Sequence, residues 1–273
     1  MKGRNWAFPL RPWFCWKSTS ELEKRQTKRD GNAKSPAEII KGERNMVGII
    51  CALEIEANKL KSLIETPTIT RVGRLEFTSG RLNGQNVVIG MAGVGKVNAA
   101  MCAQTMVLKF SPELIINSGA AGSLSSRFSI GDIAVGTGVV EHDFDTTAMG
   151  DPIAFFSDLG LDTFPCDAQT AQSILQSAER VGVRAGLAKI ASGDQFISDA
   201  ETKNRLVRLF GGEACEMEGG AIAHVCYCNG VKCAVIRAIS DSTDGLHQME
   251  FSEFLPMAAE NSANVVLEFL RSM

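Results

Sequence analysis

A chain of 273 residues, 45% of them hydrophobic, with a formal net charge of −3, has enough apolar sequence for one large buried core or two small ones. The near-neutral charge argues against a nucleic-acid binder, and no apolar run reaches the roughly 18 residues a membrane helix needs. Eight cysteines without framework spacing, mostly in apolar runs as Cys51 and Cys233 are, predict reduced thiols in a cytoplasmic protein.

The first 45 residues carry 11 Lys and Arg against 5 Asp and Glu, which leaves the remainder near −9. Arg4, Arg11 and two prolines interrupt the aromatic N-terminus, so it lacks the continuous apolar core of a signal peptide. Glu21, Glu23 and Asp30 argue against a transit peptide. Residues 17–44 show no core-facing stripe and predict a disordered or loosely helical extension. The alternative is that translation starts at Met46, where folded-looking sequence begins.

Residues 46–53 (MVGIICAL) predict a buried strand, followed by a helix start rich in carboxylates, Glu54 and Glu56. Residues 86–92 predict a second strand, then a Gly-rich turn and a helix over 97–108. A third strand over 113–117 leads into a second Gly-rich turn. Further strands are predicted over 132–140, 186–191 and 232–239, with helices over 168–181, 200–210 and 219–228. The last helix, 251–270, carries Phe251, Leu255, Ala258, Ser262, Val265 and Phe269 at helical spacing. Strands alternate with helices and are continuously apolar. That pattern predicts an α/β fold with a mixed or parallel sheet covered by helices. It assigns 1–45 to an extension and 46–273 to the functional domain.

In such folds ligands bind beyond the carboxyl ends of strands. Polar or glycine-rich segments follow nearly every predicted strand: Glu54 and Glu56, then Gly93-Val94-Gly95-Lys96, then Ser118 to Ser123, then Ser192-Gly193-Asp194-Gln195-Phe196-Ile197, then Ser240-Asp241. Glu216-Met217-Glu218 stands at the start of a helix. One segment is a decoy: Gly90 to Lys96 has the spacing of a phosphate-cradling loop, but Val97 stands where Ser or Thr would hold magnesium. The three histidines make no zinc pattern, no Cys-x-x-Cys pair exists, and no Gly-x-Ser-x-Gly elbow is present. No metal or organic cofactor is implied.

Carboxylates remain. Cleaving a purine–ribose bond requires an acid to protonate the departing base, a base to activate water, and a group to hold the ribose hydroxyls. Asp241, Glu56 and Glu218 are available for these tasks, and Phe196 for stacking on a purine. Taken singly, Glu56 reads as a helix-start residue, Asp241 as an N-cap and Phe196 as core; their combination favours a site.

The stretches GIICALEIEA, GVGKVNAA, IINSGAAGSL, SGDQFI, EMEGGAIAHVC and VIRAISD together resemble the 5′-methylthioadenosine/S-adenosylhomocysteine nucleosidases of the purine nucleoside phosphorylase superfamily, over residues 46–273. The resemblance implies a nucleoside phosphorylase-like fold, a single-domain α/β fold three layers deep with a central mixed sheet flanked by helices, and hydrolysis of an N-glycosidic bond, within methionine salvage. It implies that Glu56 activates water and that Asp241 protonates adenine N7. Glu218 would bind the ribose hydroxyls, with Met217 against the sugar. Phe196 would stack on adenine and the backbone of Ile197 would meet its edge. Arg237 and Ser240 would support the site, Glu216 would have a lesser role, and Phe251 would wall the alkylthio pocket. Ala121 and Gly122 count among the substrate-binding positions. The resemblance also implies a homodimer in which a partner loop, here around 143–156, closes the pocket. Leu53 stands where the family often has Met, and Ala120 where it often has Ser.

A phosphorylase of the same superfamily is the nearest rival. It needs cationic phosphate ligands, whereas this chain has Asn117 and Glu54-Ile55-Glu56 at the corresponding places. Hydrolases of futalosine or 5′-deoxyadenosine, and a non-catalytic adenosine-derivative binder, complete the alternatives.

Overall fold

The computed structural model describes residues 46–241 and 248–273, the side chains of 248–252 excepted; the N-terminal extension lies outside the described residues. Ten strands and six α-helices are present among them. In chain order they are β1 (Met46–Cys51), α1 (Glu54–Ser62), β2 (Glu65–Val72), β3 (Leu75–Leu82), β4 (Gln85–Met91), α2 (Lys96–Phe110), β5 (Leu114–Ser123), β6 (Ile133–Glu141), β7 (Phe164–Pro165), α3 (Ala168–Arg180), β8 (Ala185–Ser192), α4 (Ala200–Phe210), β9 (Ala214–Glu216), α5 (Gly219–Asn229), β10 (Lys232–Asp241) and α6 (Gln248–Ser272).

All ten strands join one mixed sheet. β1 pairs in parallel with β4 and β5, and β5 in parallel with β10. β10 also pairs antiparallel with β6, β6 runs parallel to β8, β8 to β9, and β9 returns antiparallel to β5. Strands β5, β10, β6, β8 and β9 therefore close into a ring, from which β1, β4, β3 and β2 extend.

The apolar runs sort onto the two sheet faces by the two-residue period of a strand. Ile50, Val88 and Ile115 pack with Met106 of α2 and Ile222 of α5 on one face. Ile49, Ile89 and Ile116 pack with Leu60 of α1, Ile174 of α3 and Val266 of α6 on the other. These strands are apolar throughout because both faces are covered. The sandwich of helices, sheet and helices is the predicted three-layer α/β architecture. Among the described residues, no helix is long and apolar enough to cross a membrane.

Three local outcomes differ from expectation. The Gly-rich segment after residue 117 is strand, not turn: β5 continues to Ser123 because β10 pairs with it as far as Gly122 and β9 caps its end. β10 likewise runs on through Ser240 and Asp241, so Asp241 is no N-cap. The β2–β3 hairpin goes unpredicted because β2 is almost wholly exposed and shows no apolar alternation. The turn into β4, Asn83-Gly84, has both residues at positive φ, a hairpin signal the sequence does carry.

Candidate active site

The carboxyl ends of β1, β5, β8, β9 and β10 converge on one cavity of about 220 Å³. That is several times the ~30 Å³ share of a water molecule, so it suits an organic ligand. Eleven of the twelve predicted site residues line it: Glu56, Ala121, Gly122, Phe196, Ile197, Glu216, Met217, Glu218, Arg237, Ser240 and Asp241. The side chain of Phe251 lies outside the described residues. Ala52, Leu53, Val94, Ala120, Gln195 and Cys215 complete the walls.

Glu56 enters from the first turn of α1. Its Oε2 accepts from the amides of Ala52 (3.0 Å) and Leu53 (2.9 Å), and its Oε1 from that of Ala120 (3.1 Å). The bond to Leu53 is half of a capping box, in which the N3 carboxylate satisfies the N-cap amide. The helix-start and site readings of Glu56 thus coincide. Gly119 permits the close approach: a Cβ there would lie 2.7 Å from Glu56 Oε1 and 2.6 Å from Arg237 Nη1.

Asp241 reaches the cavity from the carboxyl end of β10, beside the last residues of β5. Ser240 is an extra residue in the β10–β5 register, a bulge between Ile239 and Asp241. Ile239 is fully buried in the core, and strict alternation would point Asp241 the same way. The bulge turns Ser240 and Asp241 to the cavity instead. Asp241 Oδ1 accepts from the Ser123 amide at 2.9 Å, and Oδ2 from Lys203 Nζ at 3.0 Å.

Glu218 precedes α5 and accepts from the Gly95 amide at 2.9 Å. Burial, opposed by Arg237 and reinforced by Glu216, pushes its carboxyl up to about 7. Arg237 lies beneath, 1% exposed. Its Nη2 donates to Glu216 Oε2 and to Asn117 Oδ1, and stands 3.7 Å from Glu218 Oε2. Glu216 in turn accepts from the amides of Glu218 (2.9 Å) and Gly219 (2.7 Å). Glu216 therefore holds both the arginine and the start of α5, a larger part than the sequence suggests. Ser240 Oγ donates to Ala121 O at 3.3 Å.

Phe196 is 56% exposed at the cavity mouth, so it is no core residue. The Gly-rich loop with phosphate-loop spacing has its lysine engaged elsewhere. Lys96 Nζ donates to Asp143 (2.7 Å) and Glu141 (3.0 Å), whose charges outweigh burial and hold the ammonium's pKa above its ordinary value. His224 shares Glu141, and His142 is buried, which pushes its imidazole below its ordinary range. His247 lies outside the described residues.

The sequence reading missed Lys203. It occupies the buried stripe of α4 with Leu206 and Phe210, at i, i+3 and i+7. A lysine at a core-facing position was the available signal.

A model of the phosphorylase superfamily matches residues 46–271. The chain is 36% identical over 236 residues to the 5′-methylthioadenosine/S-adenosylhomocysteine nucleosidase of Shewanella halifaxensis, covering 83% of this chain and 99% of that one. This chain belongs to that nucleosidase family, within the phosphorylase superfamily. A solved family structure, the nucleosidase of Neisseria meningitidis in complex with methylthio-immucillin-A, superposes with a TM-score of 0.81 at 32% identity, covering 84% of this chain and 100% of that chain. A futalosine hydrolase of Helicobacter pylori superposes with a TM-score of 0.79 at 29% identity, covering 84% and 98%. The nucleosidase fold and the predicted nucleoside phosphorylase-like architecture are one and the same.

Proposed function

We propose that this chain hydrolyses the N-glycosidic bond of 5′-methylthioadenosine and of S-adenosylhomocysteine, releasing adenine and the 5-thio-substituted ribose. The observation that carries the reading is the convergence of Glu56, Glu218 and Asp241 on one cavity. Asp241 gives its proton to N7 of adenine as the C1′–N9 bond breaks, and the bonding electrons pass into the purine. Positive charge gathers on the ribose ring. Glu56 takes a proton from water, whose oxygen attacks C1′. Ionised Glu218 accepts from the ribose hydroxyls, Met217 lies against the sugar, and Phe196 stacks on the base above the Ile197 backbone. Arg237, Glu216 and Ser240 fix these groups, and Ala121 and Gly122 form the floor. No cofactor takes part.

Water rather than phosphate is the nucleophile. Among the described lining residues, Arg237 is the one Lys or Arg, and its guanidinium is engaged by Glu216, Asn117 and Glu218. Glu56 would repel a phosphate dianion. The likeness to a futalosine hydrolase favours a second reading, the same chemistry on another 5′ substituent.

We infer further that two copies associate. Val97 (70%) and Leu108 (73%) expose apolar side chains on α2, together with Met101. Lys96, at the start of α2, is bonded to Asp143, where the candidate loop begins. Phe144 and Phe156 stack at 4.0 Å and pin the two ends of that loop, with Met149 exposed between them. A partner's copy of this loop would close the 5′ pocket. The seven described cysteines are free thiols, which supports a reducing, cytoplasmic setting.

The deciding experiment is adenine release from 5′-methylthioadenosine in phosphate-free buffer. Release without phosphate is expected. Release only on adding phosphate would make the protein a phosphorylase, and release from futalosine alone would move the substrate.

A further inference from the structure

Lys203 takes no part in the chemistry just described, yet it is 2% exposed. An ammonium in an otherwise apolar helix stripe is expensive to desolvate unless a counter-charge meets it. Asp241 Oδ2 meets it at 3.0 Å. Lys203 does not line the cavity, whereas Asp241, to which it is bonded, does.

Two fixed donors are thus aimed at the two oxygens of the acid, the Lys203 ammonium at Oδ2 and the Ser123 amide at Oδ1. Each carboxylate oxygen has a second lone pair for the proton that moves. When that proton passes to the purine, negative charge appears on Asp241, which is only partly exposed. Donors already in place when charge develops require no reorganisation during the reaction. Cys215, on β9, is a titratable neighbour of Asp241. Burial and then the charge of Asp241 push its thiol up to about 12, so it brings no competing anion.

α4 ties this device to substrate seating. The helix starts three residues after Ile197, and its N-cap Asp199 accepts from the Thr202 amide at 2.7 Å. The segment that presents Phe196 to the purine is therefore continuous with the helix that presents Lys203 to the acid.

We propose that Lys203 is a positioning residue of the glycosidic cleavage: it orients Asp241 and stabilises the carboxylate formed as the leaving base is protonated. The proposal rests on the reading of Asp241 as the acid. It predicts a dependence on the leaving group, because a base that departs as a stable anion needs no proton.

The test compares full-length wild type, K203M and K203R on 5′-methylthioadenosine and on the 4-nitrophenyl 5-methylthioriboside. K203M is expected to lower kcat for adenine release about 100-fold, with KM within about threefold, and to retain cleavage of the nitrophenyl substrate within about threefold. The limb of its pH profile that reports the acid should move to higher pH, since a cation beside the acid has gone. K203R should recover at least about tenfold of the loss. An unchanged kcat, or equal losses on both substrates, would overturn the proposal while leaving the nucleosidase reading intact. Wild-type protein that releases no adenine with or without phosphate would overturn both. Should K203M lose its melting transition, K203Q carries the same comparison.

Discussion

Glu56 and Asp241 are held by amides of the same strand, Ala120 and Ser123 of β5. Three residues of extended chain separate these amides, roughly 10 Å. A carboxylate that activates water leaves that water to attack C1′ directly, with no glycosyl intermediate. Water should therefore attack in a single displacement. The first ribose product, read by NMR within seconds of mixing, should have inverted anomeric configuration. Retention would mean a covalent glycosyl intermediate and another role for Glu56.

Glu56→Gln should reduce kcat by about 10²–10⁴ with KM little changed, as loss of a general base does. The amide nitrogen it introduces would also face an N–H donor, from Ala52 and Leu53 or from Ala120. Gly119→Ala should act in the same direction, because its methyl group displaces Glu56 Oε1 and Arg237 Nη1. Steady-state kinetics with a parallel melting curve checks both. Normal turnover in Glu56→Gln would remove the assignment of the base.

Glu218 couples pH to stability and to binding. Its carboxyl titrates near 7 in the folded chain against an ordinary value of 4.5, with burial as the leading cause. Between those values the folded state binds the proton that the unfolded chain has lost, so this group's contribution to stability falls as pH rises from about 4.5 to about 7. Denaturation of the empty protein across that range should show this slope in wild type and lose it in Glu218→Gln. Ribose hydroxyls need the ionised form as acceptor, so substrate affinity should weaken below about pH 7 in wild type alone.

Arg237→Met should destabilise the chain by about 3–5 kcal/mol, the cost of leaving buried carboxylates without their counter-charge. Glu216 loses its ion pair, Asn117 a donor and Glu218 a nearby cation. Urea unfolding measures the loss. A change below about 1 kcal/mol would show that Glu216 does not depend on the arginine.

The proposed dimer makes its own forecast. Val97→Asp with Leu108→Asp should convert the particle to a monomer by light scattering and lower activity on 5′-methylthioadenosine, since no partner loop remains to close the pocket. A wild-type monomer at assay concentration would exclude the dimer.

Apolar periodicity alone determined much of this protein. Continuously apolar strands alternating with helices demanded a sheet covered on both faces, and most predicted elements lie within a few residues of those observed. The residue types needed at a purine site were also legible, because carboxylates and one aromatic followed strands where no core needs them. Pairing was not legible. Nothing local in Ser118 to Gly122 says that β10 will extend them into strand, and no single-residue signal marks Ser240 as a bulge that turns Asp241 into the cavity. The core-facing position of Lys203 is a local signal, but its partner Asp241 is fixed only by the packing of α4 against the end of β10. Ladder register and the packing of distant segments are long-range properties. The sequence by itself determined which chemistry was present; the pairing of β1, β9 and β10 with β5 decided which carboxylates share one cavity.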